Sequence, residues 1–311
     1  MKRFLALFLL LTLTLAGCGE VNNAPEKAEK EKLSVVATIF PPYDFAREIA
    51  GDSAEITMLL PVGGESHTYE PTLEDISLVA DCDIFISVGG EIDPWAESMT
   101  KATLNSERRV IKLLDIVGEE HSHSELENHS DSDEHVWTSP KNVMEIVKVI
   151  AENLCDADPE NTDVYTKNRA EYLEKLNLLH REFQALGENN NGKTLLFADR
   201  FPFSHLCEEY GFSAVSALPG CSSDTEPTIS AVNELINVVK NENTPAVLYT
   251  ETADGNIAKT VMNATGCDKK LLHSCHSVTD EELEEGESYI SLMTKNLETL
   301  KEVLTLDSAT G

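Results

Sequence analysis

The sequence predicts an α/β protein of two lobes, each a mostly parallel sheet flanked by helices, joined by one long rigid helix. Three observations carry that expectation. Short β-branched runs alternate with helical patterns from Leu33 onward, the mark of βα units that feed parallel sheets. A single helical stripe of Tyr165, Tyr172, Leu176, Leu179, Phe183 and Leu186 runs between Asp158 and Gly187, recurring at three, four or seven residues. After the polar break at 187–192 (GENNNG) the βα alternation starts again. A helix over 158–187 would reach about 40 Å, roughly the span of a small domain. A single sheet with shorter helices is the competing arrangement, and it leaves the stripe unexplained.

Residues 33–38 (LSVVAT) read as the first strand, and 42–50 as a helix closed by Gly51 at its C-cap. Strand 56–60, helix 71–80, strand 84–88, helix 95–104 and strand 109–113 follow. The next segment, 119–134, is acidic and serine-rich and carries His121, His123 and His129, with His135 directly after it. It has too few apolar residues to bury a core and reads as a hydrated loop. Its imidazoles suit zinc and similar divalent ions, and its carboxylates attract cations. An acidic linker with incidental histidines is the alternative. Ser139-Pro140 opens a helix whose Val143, Ile146, Val147, Ile150 and Leu154 share one face. Asp158 and Pro159 start the long helix, and Gly187 follows its last periodic residue. Beyond it come strand 194–197, helix 203–210, strand 214–217, helix 229–240, strand 246–249, helix 257–264, strand 270–272 and helix 289–304. The lobes are therefore expected at 33–157 and 188–311, with 158–187 between them.

At 311 residues the chain has room for two such lobes. A formal charge of −31 argues against nucleic acid, whose partners carry a basic stripe. Lys2 and Arg3 precede an apolar run over 4–15 that is too short to span a bilayer. Leu15-Ala16-Gly17-Cys18 resembles the bacterial lipobox, so 1–17 reads as a lipoprotein signal peptide and Cys18 as the lipidated residue. An ordinary secretory peptide with an incidental Cys18 is the alternative. Residues 18–32 read as a flexible tether. The mature chain is thus expected on the extracytoplasmic face of the cell membrane, held by a lipid.

In open α/β sheets, ligands bind beyond the carboxyl ends of the strands, and the chemically suggestive residues fall there. His67 follows strand 56–60, and His135 ends the acidic loop. Asp199 and Arg200 follow strand 194–197, and Glu251 follows 246–249. His273, Cys275 and His276 follow 270–272. Several such groups split between two lobes suggest convergence on a cleft.

Two local contexts carry a resemblance. Gly64-Glu65-Ser66-His67-Thr68-Tyr69-Glu70-Pro71 and Glu134-His135-Val136-Trp137-Thr138-Ser139-Pro140 resemble the two histidine motifs of the zinc and manganese substrate-binding proteins of bacterial ABC transporters, the cluster A-I or TroA-like family. The resemblance implies two α/β lobes bridged by a rigid helix, with a metal ion between the lobes and often a lipid anchor. It implies His67 and His135 as first-lobe ligands, with 119–134 as a zinc-gathering loop. The chain departs from the family pattern in the second lobe. The usual third-ligand position falls on Arg200, whose guanidinium has no acceptor and cannot ligate. The usual aspartate falls on His273. The second-lobe half is therefore expected from His273 or His276, with Asp199 as a further donor. Arg200 is expected to pair with Glu251 or Asp224. Cys275 is expected as a disulfide partner of Cys221, with a thiolate ligand or a buried thiol as the alternatives.

The implied activity is zinc capture by a monomeric lipoprotein and delivery to an ABC permease. Three or four imidazoles favour Zn2+ over Mn2+, which leans on carboxylates. A manganese-binding transporter component and an adhesin are the alternatives. An exported zinc hydrolase is disfavoured, because neither HExxH nor GxSxG occurs.

Overall fold

A computed structural model describes residues 32–103, 105–121, 133–218, 227–242 and 244–306. The signal peptide, Cys18, the tether up to residue 31, and His123 and His129 lie outside these residues. Among the described residues the chain forms two four-stranded parallel sheets with one shared topology. The first has the order β2-β1-β3-β4, built from Leu33–Ala37, Ala54–Met58, Ile84–Ser87 and Arg109–Lys112 numbered in chain order. The second has the order β6-β5-β7-β8, from Thr194–Phe197, Ser213–Ser216, Ala246–Tyr249 and Asp268–Leu271. The fold is the two-lobed α/β arrangement that the alternation implies.

The central strands β1, β3, β5 and β7 are short and mostly buried because helices cover both faces of a parallel sheet. Ile84, Phe85, Ile86 and Ser87 of β3 are all buried. On one face of the first sheet lie α1 (Phe40–Ala50) and α5 (Pro140–Ala157). The other face meets α2 (Leu73–Asp81) and α3 (Pro94–Ala102) in a separate cluster around Val36, Leu59, Val79, Phe85 and Met99. Helix α5 starts where Ser139 Oγ accepts from the Asn142 amide and Pro140 occupies the first turn. Its Val143, Ile146, Val147, Ile150 and Leu154 are at most 1% exposed. At about 1.5–3 kcal/mol per buried aliphatic side chain, that stripe is worth on the order of 10 kcal/mol. Packing, more than helix propensity, holds this element.

The long helix α6 (Thr162–Asn189) buries Tyr165, Tyr172, Leu176, Leu179 and Phe183 against elements of both halves. Its ends differ from the sequence expectation. A one-turn 3-10 helix, Pro159–Asn161, precedes it, and the Asp158 carboxylate accepts from Tyr165 and Asn161 side chains. Gly187 does not terminate α6. A Cβ there would come within 2.0 Å of the Tyr210 carbonyl oxygen, so this glycine permits the close approach of α7 (Ser204–Tyr210). Two helices fall outside the sequence expectation: α4 (Leu113–His121), which carries the backbone to His121, and α10 (Asp280–Glu284). The second sheet is flanked by α7, α8 (Ile229–Glu242), α9 (Asn256–Thr265) and α11 (Tyr289–Leu306), with α11 also lying against α6 and α1. No helix of the described residues is long and apolar enough to cross a membrane.

Candidate metal centre

The carboxyl ends of both sheets face one seam, and direct hydrogen bonds cross it. Trp137 Nε1–H donates to the Ser274 carbonyl at 2.8 Å, and the Gly63 amide donates to the Val278 carbonyl at 2.8 Å. Tyr289 O–H donates to the Trp137 carbonyl at 2.7 Å, and its amide donates to Asp44 at 2.9 Å. Burial pushes the Asp44 carboxyl up despite the Arg47 guanidinium beside it.

His67 arrives on a one-turn 3-10 helix, Ser66–Thr68, in the loop after β2. Its Nδ1 lies 3.0 Å from the Glu91 carbonyl oxygen, an acceptor only, so in the neutral ring Nδ1 carries the proton and Nε2 the lone pair. His135 is fixed the same way by a stronger partner. Its Nδ1–H donates to Asp133 Oδ1 at 2.7 Å and its amide to the same oxygen at 3.1 Å. This carboxylate–imidazole pair is the arrangement that orients metal-binding histidines and makes them more basic. Burial alone would raise the Asp133 carboxyl, but hydrogen bonds and charge from His135, with His205 nearby, bring it down to about 2.

The two first-lobe histidines are also tied to each other. Glu134 accepts from the Glu91 and Ile92 amides at 2.6 and 2.7 Å. The carboxylate lies so close to Gly90 that a Cβ would meet it at 2.0 Å, and Gly90 has φ +69°. The loop that positions His67 thus rests on the residue next to His135.

From the second lobe comes the loop 273–277. Cys275 is its turning point, the single positive-φ non-glycine residue among the described residues (φ 59°). That turn sends the two histidines in different directions. The His276 ring lies 5.7 Å from that of His67 and 5.5 Å from that of His135, with Nε2 at 2.5 Å from Ser66 Oγ. Ligand-capable atoms of Glu65, His67 and His276 lie within 4.8 Å of one another. The His273 ring instead takes the Cys275 amide on Nδ1 at 2.9 Å and lies 3.4 Å from Glu282 through Nε2. The hydrogen bond from His273 helps hold the Glu282 carboxyl down at about 2.

Two sequence expectations are corrected here. Among the described residues Arg200 pairs with Glu65, not with Glu251. Its Nη1 lies 3.3 Å from Glu65 Oε2, across the seam. Glu251 is occupied by the Ser274 amide and hydroxyl at 2.7 and 2.6 Å, and Asp224 lies outside the described residues. Cys275 is a free buried thiol, not half of a bridge to Cys221, and burial pushes it well up. Asp199 is buried and accepts from the Thr250 hydroxyl at 2.7 Å, tying the end of β5 to that of β7. Sequence reasoning missed Asp133, Glu134, Glu65 and His205. His205 Nε2–H donates to the Asp133 carbonyl at 2.7 Å, and the Ser204 amide donates to Asp133 Oδ2 at 3.1 Å. The signal for Asp133 was an acid two residues before a proposed ligand, hidden within a long acidic run.

Fold and site together define a two-lobed metal-binding protein with imidazoles from both halves gathered at the seam. The profile of the family described as zinc-uptake complex component A, periplasmic (ZnuA) matches residues 35–303. The chain belongs to that family. It is 30% identical to the high-affinity zinc uptake system protein ZnuA of Bacillus subtilis, covering 99% of each chain. It is 31% identical over 302 residues to the zinc-binding lipoprotein AdcA of Streptococcus pneumoniae, spanning 94% of this chain but only 60% of that relative's length. Among solved structures, the Zn(II)-bound ZnuA-like domain of Streptococcus pneumoniae AdcA is similar, with TM-score 0.74 and 28% identity over 88% of this chain and 99% of that one.

Proposed function

We propose that the chain captures zinc between its two lobes outside the cell membrane and hands it to an ABC permease. The observation that carries the reading is the meeting of His67 and His135 from one lobe with His276 from the other, two of the three rings oriented by Nδ1 partners. Imidazole donors in a buried setting suit zinc and disfavour manganese. A binding role, not catalysis, fits a site whose surrounding carboxylates are already engaged with backbone amides and side chains. Names of the relatives support the same reading, since both describe zinc-binding or zinc-uptake proteins.

The chain acts as a monomer, cleaved after residue 17, lipid-anchored at Cys18 and tethered through 18–32. Its lobes comprise 33–157 and 188–311 on either side of the helix at 158–187. His121, His123 and His129 hold zinc weakly and raise its local concentration near the seam. Isothermal titration with zinc, manganese and nickel tests the proposal. The expected result is one tight zinc site in the wild type and none in His135→Ala. Tight manganese binding without zinc would refute it.

A further inference from the structure

Arg200 follows β5 at the seam, and its guanidinium cannot bind a cation. The structure shows what stands beside it. The Glu65 carboxylate, from the opposite lobe, holds Arg200 Nη1 at 3.3 Å through Oε2, while Oε1 faces the His67 amide at 3.4 Å. Glu65 is also the carboxylate that shares the 4.8 Å group with His67 and His276. Its side chain is only one-third exposed and that of Arg200 one-fifth.

From this geometry we infer that Glu65 is the fourth zinc ligand, completing a set with His67, His135 and His276, and that Arg200 is its positioning residue. The inference rests on the zinc-binding reading above and specifies its coordination. Three neutral imidazoles leave the full double charge of the ion at a seam that already contains a guanidinium. A carboxylate between the two cations offsets both and supplies an oxygen donor that zinc accepts. Each carboxylate oxygen has two acceptor positions, so a bond to Arg200 or to the His67 amide leaves a lone pair for the metal. The bond from Arg200 does for Glu65 what Asp133 does for His135: it fixes the ligand's orientation. Arg200 does not donate to the ion but holds the group that does.

A latch that merely closes the seam is the competing role for the Glu65–Arg200 pair, and cobalt separates the two. Zinc titration and Co(II) absorption are measured on the mature wild-type chain and on E65Q, E65D, R200Q and E65Q/R200Q. Circular dichroism and melting confirm that each variant folds. Expected are roughly 100-fold weaker zinc binding and an altered Co(II) ligand-field spectrum in E65Q, with partial recovery in E65D. R200Q alone should weaken binding about tenfold. In the E65Q background the same change should tighten binding, because it removes a cation no longer neutralised. E65Q with wild-type cobalt absorption and zinc affinity within about threefold of wild type would overturn the inference while leaving the zinc reading intact. Absence of zinc binding in the wild type would overturn both.

Discussion

Replacing Asp133 with asparagine isolates the support of a single ligand. The carboxylate accepts two bonds from His135 through Oδ1 and one from the Ser204 amide through Oδ2. An asparagine of the same shape keeps an acceptor for one side but loses the charge. Hydrogen bonds to a charged partner are worth about 1.5–3 kcal/mol net, and neutral ones about 0.5–1.5. The His135 ring therefore loses on the order of 1.4 kcal/mol of orientation, a tenfold change in affinity. If the amide turns its NH2 toward Nδ1, the ring's proton moves to Nε2, and the lone pair needed by the metal is lost. The expected outcome is a zinc Kd weakened between about 10-fold and 100-fold, the range typical of carboxylates behind ligating histidines. Isothermal titration reads it, with a melting curve as the folding control. A folded D133N chain that binds zinc within threefold of wild type would show that His135 needs no such partner.

Deleting residues 122–132 is expected to leave the tight zinc site intact and remove only weaker additional binding in the same titration. Trp137→Phe removes the donor to the buried Ser274 carbonyl and is expected to cost about 1–3 kcal/mol in urea unfolding. An unchanged midpoint would mean the carbonyl finds another donor. Gly187→Ala forces a Cβ against the Tyr210 carbonyl and is expected to destabilise by about 1–3 kcal/mol, read as a lower Tm. Burial pushes Asp93 up to about 6, against bonds from Thr38, Val88 and Gly89 that pull it down. The folded carboxyl thus keeps its proton to higher pH than the unfolded one. Its contribution to stability is full below the unfolded value of 3.8 and is lost as pH rises through 6, a difference of about 3 kcal/mol. Asp93→Asn should flatten unfolding free energy between pH 4 and 7 relative to wild type, and an identical slope would refute the assignment.

The fold was legible because its signals are local and repeated. β5 (Thr194–Phe197) and β7 (Ala246–Tyr249) have the ends that the apolar runs imply, and the α6 stripe survives intact. Helix α10 was legible in principle: Thr279 and Glu282 form a reciprocal cap with the spacing that signature requires. Gly187 misled because termination and close packing ask for the same residue. In the site, His67 and His135 sit in contexts specific enough to stand out. The division between His273 and His276 turns on one backbone angle at Cys275, which no residue pattern encodes. The Arg200–Glu65 pair joins positions 135 residues apart, so nothing short of the folded chain could assign it.

The way α6 is built bears on how the two halves can move. It runs 28 residues without a proline, and its buried aromatics are set in the same core as α1, α5 and α11. Bending such a strut would break stacked turns and open a well-filled interior at once. Wide swinging of one half against the other is thereby expensive. The seam itself is lined by two short stretches, the turn bearing Glu65 and the loop around Cys275. On the zinc-delivery reading proposed above, a docked transporter would act on those lips, with the body of the protein serving as a stiff handle.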